Sequence, residues 1–296
     1  MEIFQKSFLS ILLLIILLSC ENNKYGYLTV EERKQLANNI WHEEVAKHGF
    51  NGSFQGTPKA ETLLDQILEL DPNSCDAIRE KSVPYLKRGI PNLWKPLFDK
   101  AVECDPIVWQ PWRGYLYLYF YRNYDKAIAD FNASDILTPN FIDAPQGQSV
   151  NYWRGLAYLG KSDFGNSIRY LETHISIESK ESGEEWVEPS SFLYLGIAQY
   201  ELGEIDKAEL NLKKMLDYSY GNSADANYYL AKINFIKNDF ELARQFIQSA
   251  TINYEEGYFR YRDYVEEIRQ IYPHYLDELR AKIDNRATTN EKQTEL

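Results

Sequence analysis

An all-α fold, a solenoid of about six stacked helical hairpins closed by C-terminal capping helices, is predicted by three features of this 296-residue sequence. The first is a local pattern, clearest over residues 195–208 (LGIAQYELGEIDKA). An apolar-periodic run that begins at Phe192 is broken by Gly203, and Asp206-Lys207-Ala208 opens a second run carrying Leu212 and Met215. Apolar residues at helical spacing on both sides of a glycine read as helix, turn, helix. The second feature is recurrence of that pattern. The third is length: once a short leader and the ends are set aside, the hairpins use the chain, and no separate catalytic domain fits.

The second helix of each pair is the easiest to follow. Ala60 leads to Leu64 and Asp71-Pro72, Trp94 to Phe98 and Asp105-Pro106, and Ala127 to Phe131 and Pro139. Ser167 leads to Leu171 and Ile175, Ala208 to Leu212, and Ala243 to Ile247 and Ala250. Equivalent positions 60, 94, 127, 167, 208 and 243 are 34, 33, 40, 41 and 35 residues apart. First helices recur over 78–85, 112–119, 153–158, 192–200 and 228–235. This pattern resembles the tetratricopeptide repeat, with its Leu-Gly pair followed by Ala and an apolar residue four later, over about 34 residues. The Tyr sits one place late, at Tyr200, and the closing Pro is missing from that copy. The resemblance implies a right-handed superhelix of hairpins. Gly155, Gly196, Ala208, Ala231 and Ala243 are expected where paired helices approach closely. Phe131, Leu171 and Ile247 are expected to fill the space between successive hairpins. A lone hairpin cannot bury its apolar face, so stacking is obligatory.

Taken in order, residues 8–18 form an apolar run broken only by Ser10 and ending in Leu17-Leu18-Ser19-Cys20. Eleven residues span about 16 Å as a helix, short of a bilayer of about 30 Å, so residues 1–19 read as a secretion signal. Its end resembles a bacterial lipobox, which implies acylation of Cys20 and anchoring in the cell envelope, the outer membrane being favoured. Glu2 opposes Lys6 in the weakly basic leader. Residues 20–30 are expected to be a tether, and Thr29-x-x-Glu32 a capping box opening a helix towards Lys47. The solenoid is expected over 31–254, with insertions at 139–149 and 179–189 between repeats. An exposed Trp186 in the second insertion is a candidate contact residue. Residues 255–284 read as the cap, an aromatic-rich helix over 258–271 followed by one from Pro273, and 285–296 as a disordered tail.

Signals for chemistry are missing. The sequence has no H-E-x-x-H, P-loop, G-x-S-x-G or Cys-x-x-Cys, so no enzyme activity and no cofactor are expected. His42 and His48 fall on opposite helix faces, and no metal is expected. The pairs Glu43-Glu44, Glu184-Glu185 and Glu266-Glu267 read as solvated charge. A net charge of −12 argues against nucleic acid. Cys75 and Cys104 fall at one end of a hairpin. Packed helix axes lie about 8–10 Å apart while a bridge needs Cα atoms within about 7 Å, so two half-buried free thiols are the expectation and a disulfide the alternative.

Aromatic residues make up 15% of the chain, and Trp109, Trp112 and the run YLYLYFY over 115–121 exceed what one buried helix face needs. In the repeat family the first helix of each pair lines the concave side and meets a peptide. Carried over, that register implies a groove of Arg79, Trp109, Trp112, Tyr119, Tyr152, Tyr200, Tyr228, Lys232 and Phe235. The alternative is that half of these are inter-repeat core. The Lys/Asn/Arg clamp for a chaperone's terminal carboxylate is not matched. The reading is an envelope scaffold lipoprotein that binds a peptide or protein partner, held at the membrane by acyl chains. Its rivals are a dedicated inhibitor or immunity protein and a carbohydrate-capture lipoprotein.

Overall fold

The computed structural model describes residues 24–294, with side chains as far as Arg286, and every regular element among them is helical. The chain divides into two compact units, one ending at Cys104 and one beginning at Asp105.

In the first unit, α1 (Val30–Ile40) starts at the expected capping box. The Thr29 hydroxyl accepts the Glu32 N–H, and the Glu32 carboxylate accepts the Thr29 N–H at 2.8 Å. The helix widens into a π turn over Trp41–Ala46. Next come α2 (Pro58–Leu70), α3 (Cys75–Lys87) and α4 (Pro91–Cys104). Phe50, Ala60, Leu64, Ile67 and Leu70 form a core that also takes in Tyr25. Tyr25 and Leu28 therefore pack on the unit, within the stretch expected to be a tether. Trp94, Phe98 and Ala101 are buried on α4, as their spacing implies.

Cys75 and Cys104 are joined by a disulfide, with Cα atoms 5.6 Å apart. This corrects the expectation of free thiols. Cys75 is the first residue of α3 and Cys104 the last of α4. The spacing of helix axes governs residues along the packed shafts, and these two sit at the ends, where both sulfurs face the Asn73 carbonyl.

The second unit holds four hairpins: α5 (Pro106–Tyr119) with α6 (Tyr124–Leu137), α7 (Val150–Gly160) with α8 (Phe164–Ser182), α9 (Ser190–Leu202) with α10 (Ile205–Tyr218), and α11 (Ala224–Ile236) with α12 (Phe240–Glu255). A last helix, α13 (Pro273–Thr294), packs on α12 through Leu276, Leu279 and Ile283. Side chains of Asp105, Asn123, Ser149, Asp163, Ser223 and Asp239 cap six of these helices by accepting a first-turn N–H.

The glycine notches explain the repeat. A Cβ on Gly155 would stand 2.7 Å from Leu171 Cγ, and one on Gly196 would stand 2.8 Å from Leu212 Cγ. Gly114 meets Phe131 in the same way. Thus Phe131 and Leu171 fill the notch of their own hairpin rather than the space between hairpins.

Three elements differ from expectation. Helix α8 runs through Ser182 and so absorbs the start of the 179–189 insertion; nothing breaks it before Gly183, at φ 103°. Residues 258–272 form no helix: Gly257 ends α12 at φ 87°, and Tyr264 and Arg269 adopt φ of 70° and 60°. Helix α13 continues through Thr294, where a disordered tail is expected. Extending a helix already docked by Ile283 requires no new nucleation.

Candidate functional site

The first helices of the second unit carry most of the aromatic residues that the resemblance assigns to a groove. On α5, Tyr115 and Tyr119 stand one turn apart, with ring centroids 5.5 Å from each other. Trp153 of α7 meets both edge-on, at 5.0 and 5.7 Å. Tyr152 packs against Trp153 and against Tyr194 of α9. These helices therefore present one continuous aromatic face.

That face is not open. The irregular segment after α12 crosses it. Its path begins where the Tyr258 carbonyl accepts the Ala224 N–H, at 2.8 Å, and where Asp225 accepts the Arg260 N–H, at 2.9 Å. The Arg262 guanidinium lies 3.8 Å from the Tyr119 ring centroid and donates to the Tyr115 hydroxyl. Glu267 is only 4% exposed; it accepts from Tyr194 Oη at 3.1 Å and faces Arg262 Nε at 3.3 Å and an Arg260 nitrogen at 3.6 Å. Arg269 Nη2 donates to Ser162 Oγ at 3.2 Å, and Arg122 donates to the Glu266 carbonyl.

The nine residues of the expected groove accordingly separate. Tyr119 and Tyr152 are each 1% exposed, closed off by the crossing segment and by neighbouring rings, and cannot meet a ligand in this arrangement. Burial raises both hydroxyls above the ordinary tyrosine range. Trp109 is also buried, and Trp112 is half-buried edge-on to Tyr115. Arg79 belongs to the first unit, where it pairs with Glu80. Tyr200, Tyr228, Lys232 and Phe235 remain half-exposed together. The Lys232 ammonium lies 4.4 Å from the Tyr200 centroid, 5.6 Å from Tyr228 and 4.8 Å from Tyr229. Burial pushes Lys232 below the usual lysine range, with Glu201 opposing, and pushes Tyr228 up to about 12. Phe235, Lys282, Asn285 and Arg286 line an adjoining open hollow of about 470 Å³.

Residues outside the expected groove set carry the centre of the face: Tyr115, Trp153, Tyr194, Arg260, Arg262 and Glu267. The signal available was the alternation Arg260-x-Arg262 within an aromatic stretch, followed by Glu266-Glu267. Taken as helix, the stretch implies solvated charge; Glu267 is instead buried between two guanidinium groups. Trp186 stands 76% exposed in a turn after α8. Glu184 is tied to Lys214 and Tyr218, at 2.7 and 2.8 Å, and is held below the usual carboxylate range by those bonds. Among the described residues no group of His, Cys, Asp or Glu could hold a metal ion, and no helix is long and apolar enough to cross a membrane. Cys20 lies outside the described residues.

No protein-family model and no curated protein matches the sequence. Solved structures do match. The crystal structure of PilW, a type IV pilus biogenesis factor, is 15% identical with a TM-score of 0.55, covering 79% of this chain and 96% of that one. PilF of Pseudomonas aeruginosa is 17% identical with a TM-score of 0.56, over 76% and 97%. MamA of Desulfovibrio magneticus is 16% identical with a TM-score of 0.51, over 62% and 96%. At such identities the likeness speaks for the fold, and with the glycine-notched hairpins it gives an α-solenoid of the tetratricopeptide kind.

Proposed function

We propose that this chain is a non-catalytic scaffold that docks a protein or peptide partner in the cell envelope, anchored by acyl chains on Cys20. The observation that carries the docking reading is the half-exposed cluster of Tyr200, Tyr228, Lys232 and Phe235 beside the hollow under Lys282. Clustered aromatic and cationic side chains on a rigid helical face are where binding energy concentrates. The Cys75–Cys104 bridge supports an oxidising compartment, in keeping with the leader and Cys20. Trp109, Tyr119 and Tyr152 drop out of the docking set, because they are buried.

The test is affinity capture by the full chain against a Tyr200→Ala/Lys232→Ala variant. Loss of this pair of contacts, at about 2 kcal/mol or more in total, weakens capture by tens-fold or more, with the helical circular-dichroism signal unchanged. Undiminished capture by a folded variant would sink this site. Several specific partners fit a scaffold; one partner favours the inhibitor reading.

A further inference from the structure

The crossing segment is bound much as a peptide ligand would be. Its backbone pairs with α11 through Ala224 and Asp225, and its arginines enter an aromatic cage. Arg262 stacks on Tyr119 and lies 5.6 Å from the Tyr115 centroid and 5.8 Å from that of Trp153. Arg260 lies 5.7 Å from the Tyr194 centroid, with Glu188 Oε1 at 3.8 Å from its guanidinium. The repeats thus supply aromatic faces and two carboxylates, Glu188 and Asp225, to whatever occupies this place. Flat delocalised guanidinium groups suit both features better than a lysine ammonium does.

The fit of the segment is incomplete. Tyr119 Oη and Arg260 Nε are buried without a hydrogen-bond partner among the described residues. Tyr264 and Arg269 hold positive φ, a backbone state that side chains of their size disfavour. Gly257, at φ 87°, gives the segment a pivot at its start.

We propose that the aromatic cage of Tyr115, Tyr119, Trp153 and Tyr194 is a guanidinium-recognition site that residues 258–272 fill in cis, so that an arginine-bearing extended segment of a partner enters only by displacing them. This rests on the reading of the repeats as a docking face, but on a different part of it from the Tyr200–Lys232 cluster. Failure of capture at that cluster and failure here are therefore separate results.

The probe is a fluorescein-labelled synthetic peptide of residues 258–270, titrated by anisotropy into the full chain. The receptor variant is Arg260→Ala/Arg262→Ala/Glu267→Gln, which takes both guanidinium groups out of the cage, removes the charge of Glu267 and leaves Asp225 its hydrogen bond from the residue-260 backbone N–H. The variant is expected to bind the peptide at least about ten-fold more tightly than the unaltered chain. A peptide with alanine at both arginines is expected to lose that gain. Equal binding by both receptors, or equal binding of both peptides, overturns the proposal. If the triple variant loses its helical signal, the titration is run on Arg262→Lys, which keeps the charge opposite Glu267 and removes the planar stacking. Stronger peptide binding by that variant than by the unaltered chain supports the proposal; no difference overturns it.

Discussion

His174 and Asp225 are buried titratable residues whose effects on stability run in opposite directions with pH. His174 is enclosed between the Ser149 and Ser191 hydroxyls, at 2.9 and 3.1 Å, and burial lowers its pKa from 6.5 to about 4. Between those values the unfolded chain takes up a proton that the folded chain refuses, so this residue makes stability rise with pH. Asp225, 3% exposed, accepts the Arg260 N–H, and burial raises its pKa from 3.8 to about 6. Here the folded chain holds the extra proton, so stability falls as pH rises through the same window. A tenfold change in proton affinity corresponds to about 1.4 kcal/mol, which makes each effect about 3 kcal/mol, and they largely cancel. Asp225→Asn keeps an acceptor for Arg260 and is expected to steepen the gain in melting temperature from pH 4 to 6. His174→Gln is expected to reverse that slope relative to the unaltered chain. Difference profiles that stay flat for both variants would refute the assignment. Neither group was legible in the sequence, because the serines that enclose His174 and the arginine beside Asp225 come from other elements of the chain.

At the scale of elements, the bridge between the first residue of α3 and the last of α4 closes a loop of about 30 residues. Chain entropy gives such a closure about 3 kcal/mol. Cys75→Ser/Cys104→Ser is therefore expected to lower the unfolding midpoint of the unit that ends at Cys104, and to leave the transition of the later unit in place. In unreduced, denatured protein neither cysteine is expected to react with a thiol reagent; two reactive thiols, Cys20 aside, would exclude the bridge. Helix boundaries were legible where a cap and a small-residue notch agree, as at Asp163 with Gly155 or Asp239 with Ala231. They were not legible over 258–272. Those residues have helix-compatible composition, but their charges find partners across the groove, and tertiary ion pairs override a weak local preference.

For the molecule as a whole, attachment is the property to test. A single acyl chain anchors marginally and stable attachment takes two or more, which an acylated N-terminal cysteine would carry. Cys20→Ser is expected to move a folded, helical protein from the membrane fraction to the soluble fraction. Sedimentation with membranes that resists salt would rule out the acyl anchor, and with it the scaffold's proposed place in the envelope. The net charge of −12 bears on solubility and on the repulsion of nucleic acid rather than on fold.

The sequence by itself determined the class of fold, the number and order of hairpins through α12, the capping box at Thr29 and the glycine contacts of Gly155 and Gly196. Each of these depends on neighbours within about one repeat, so spacing alone carries it. Only the tertiary structure decided which aromatic residues face solvent. Tyr119 and Tyr200 hold comparable places on first helices, yet Arg262 and Glu267, more than 140 residues after Tyr119, bury one and leave the other half-open. Hydrophobic period places a residue on a helix face. Whether that face meets water depends on a segment whose conformation is set by the groove it fills.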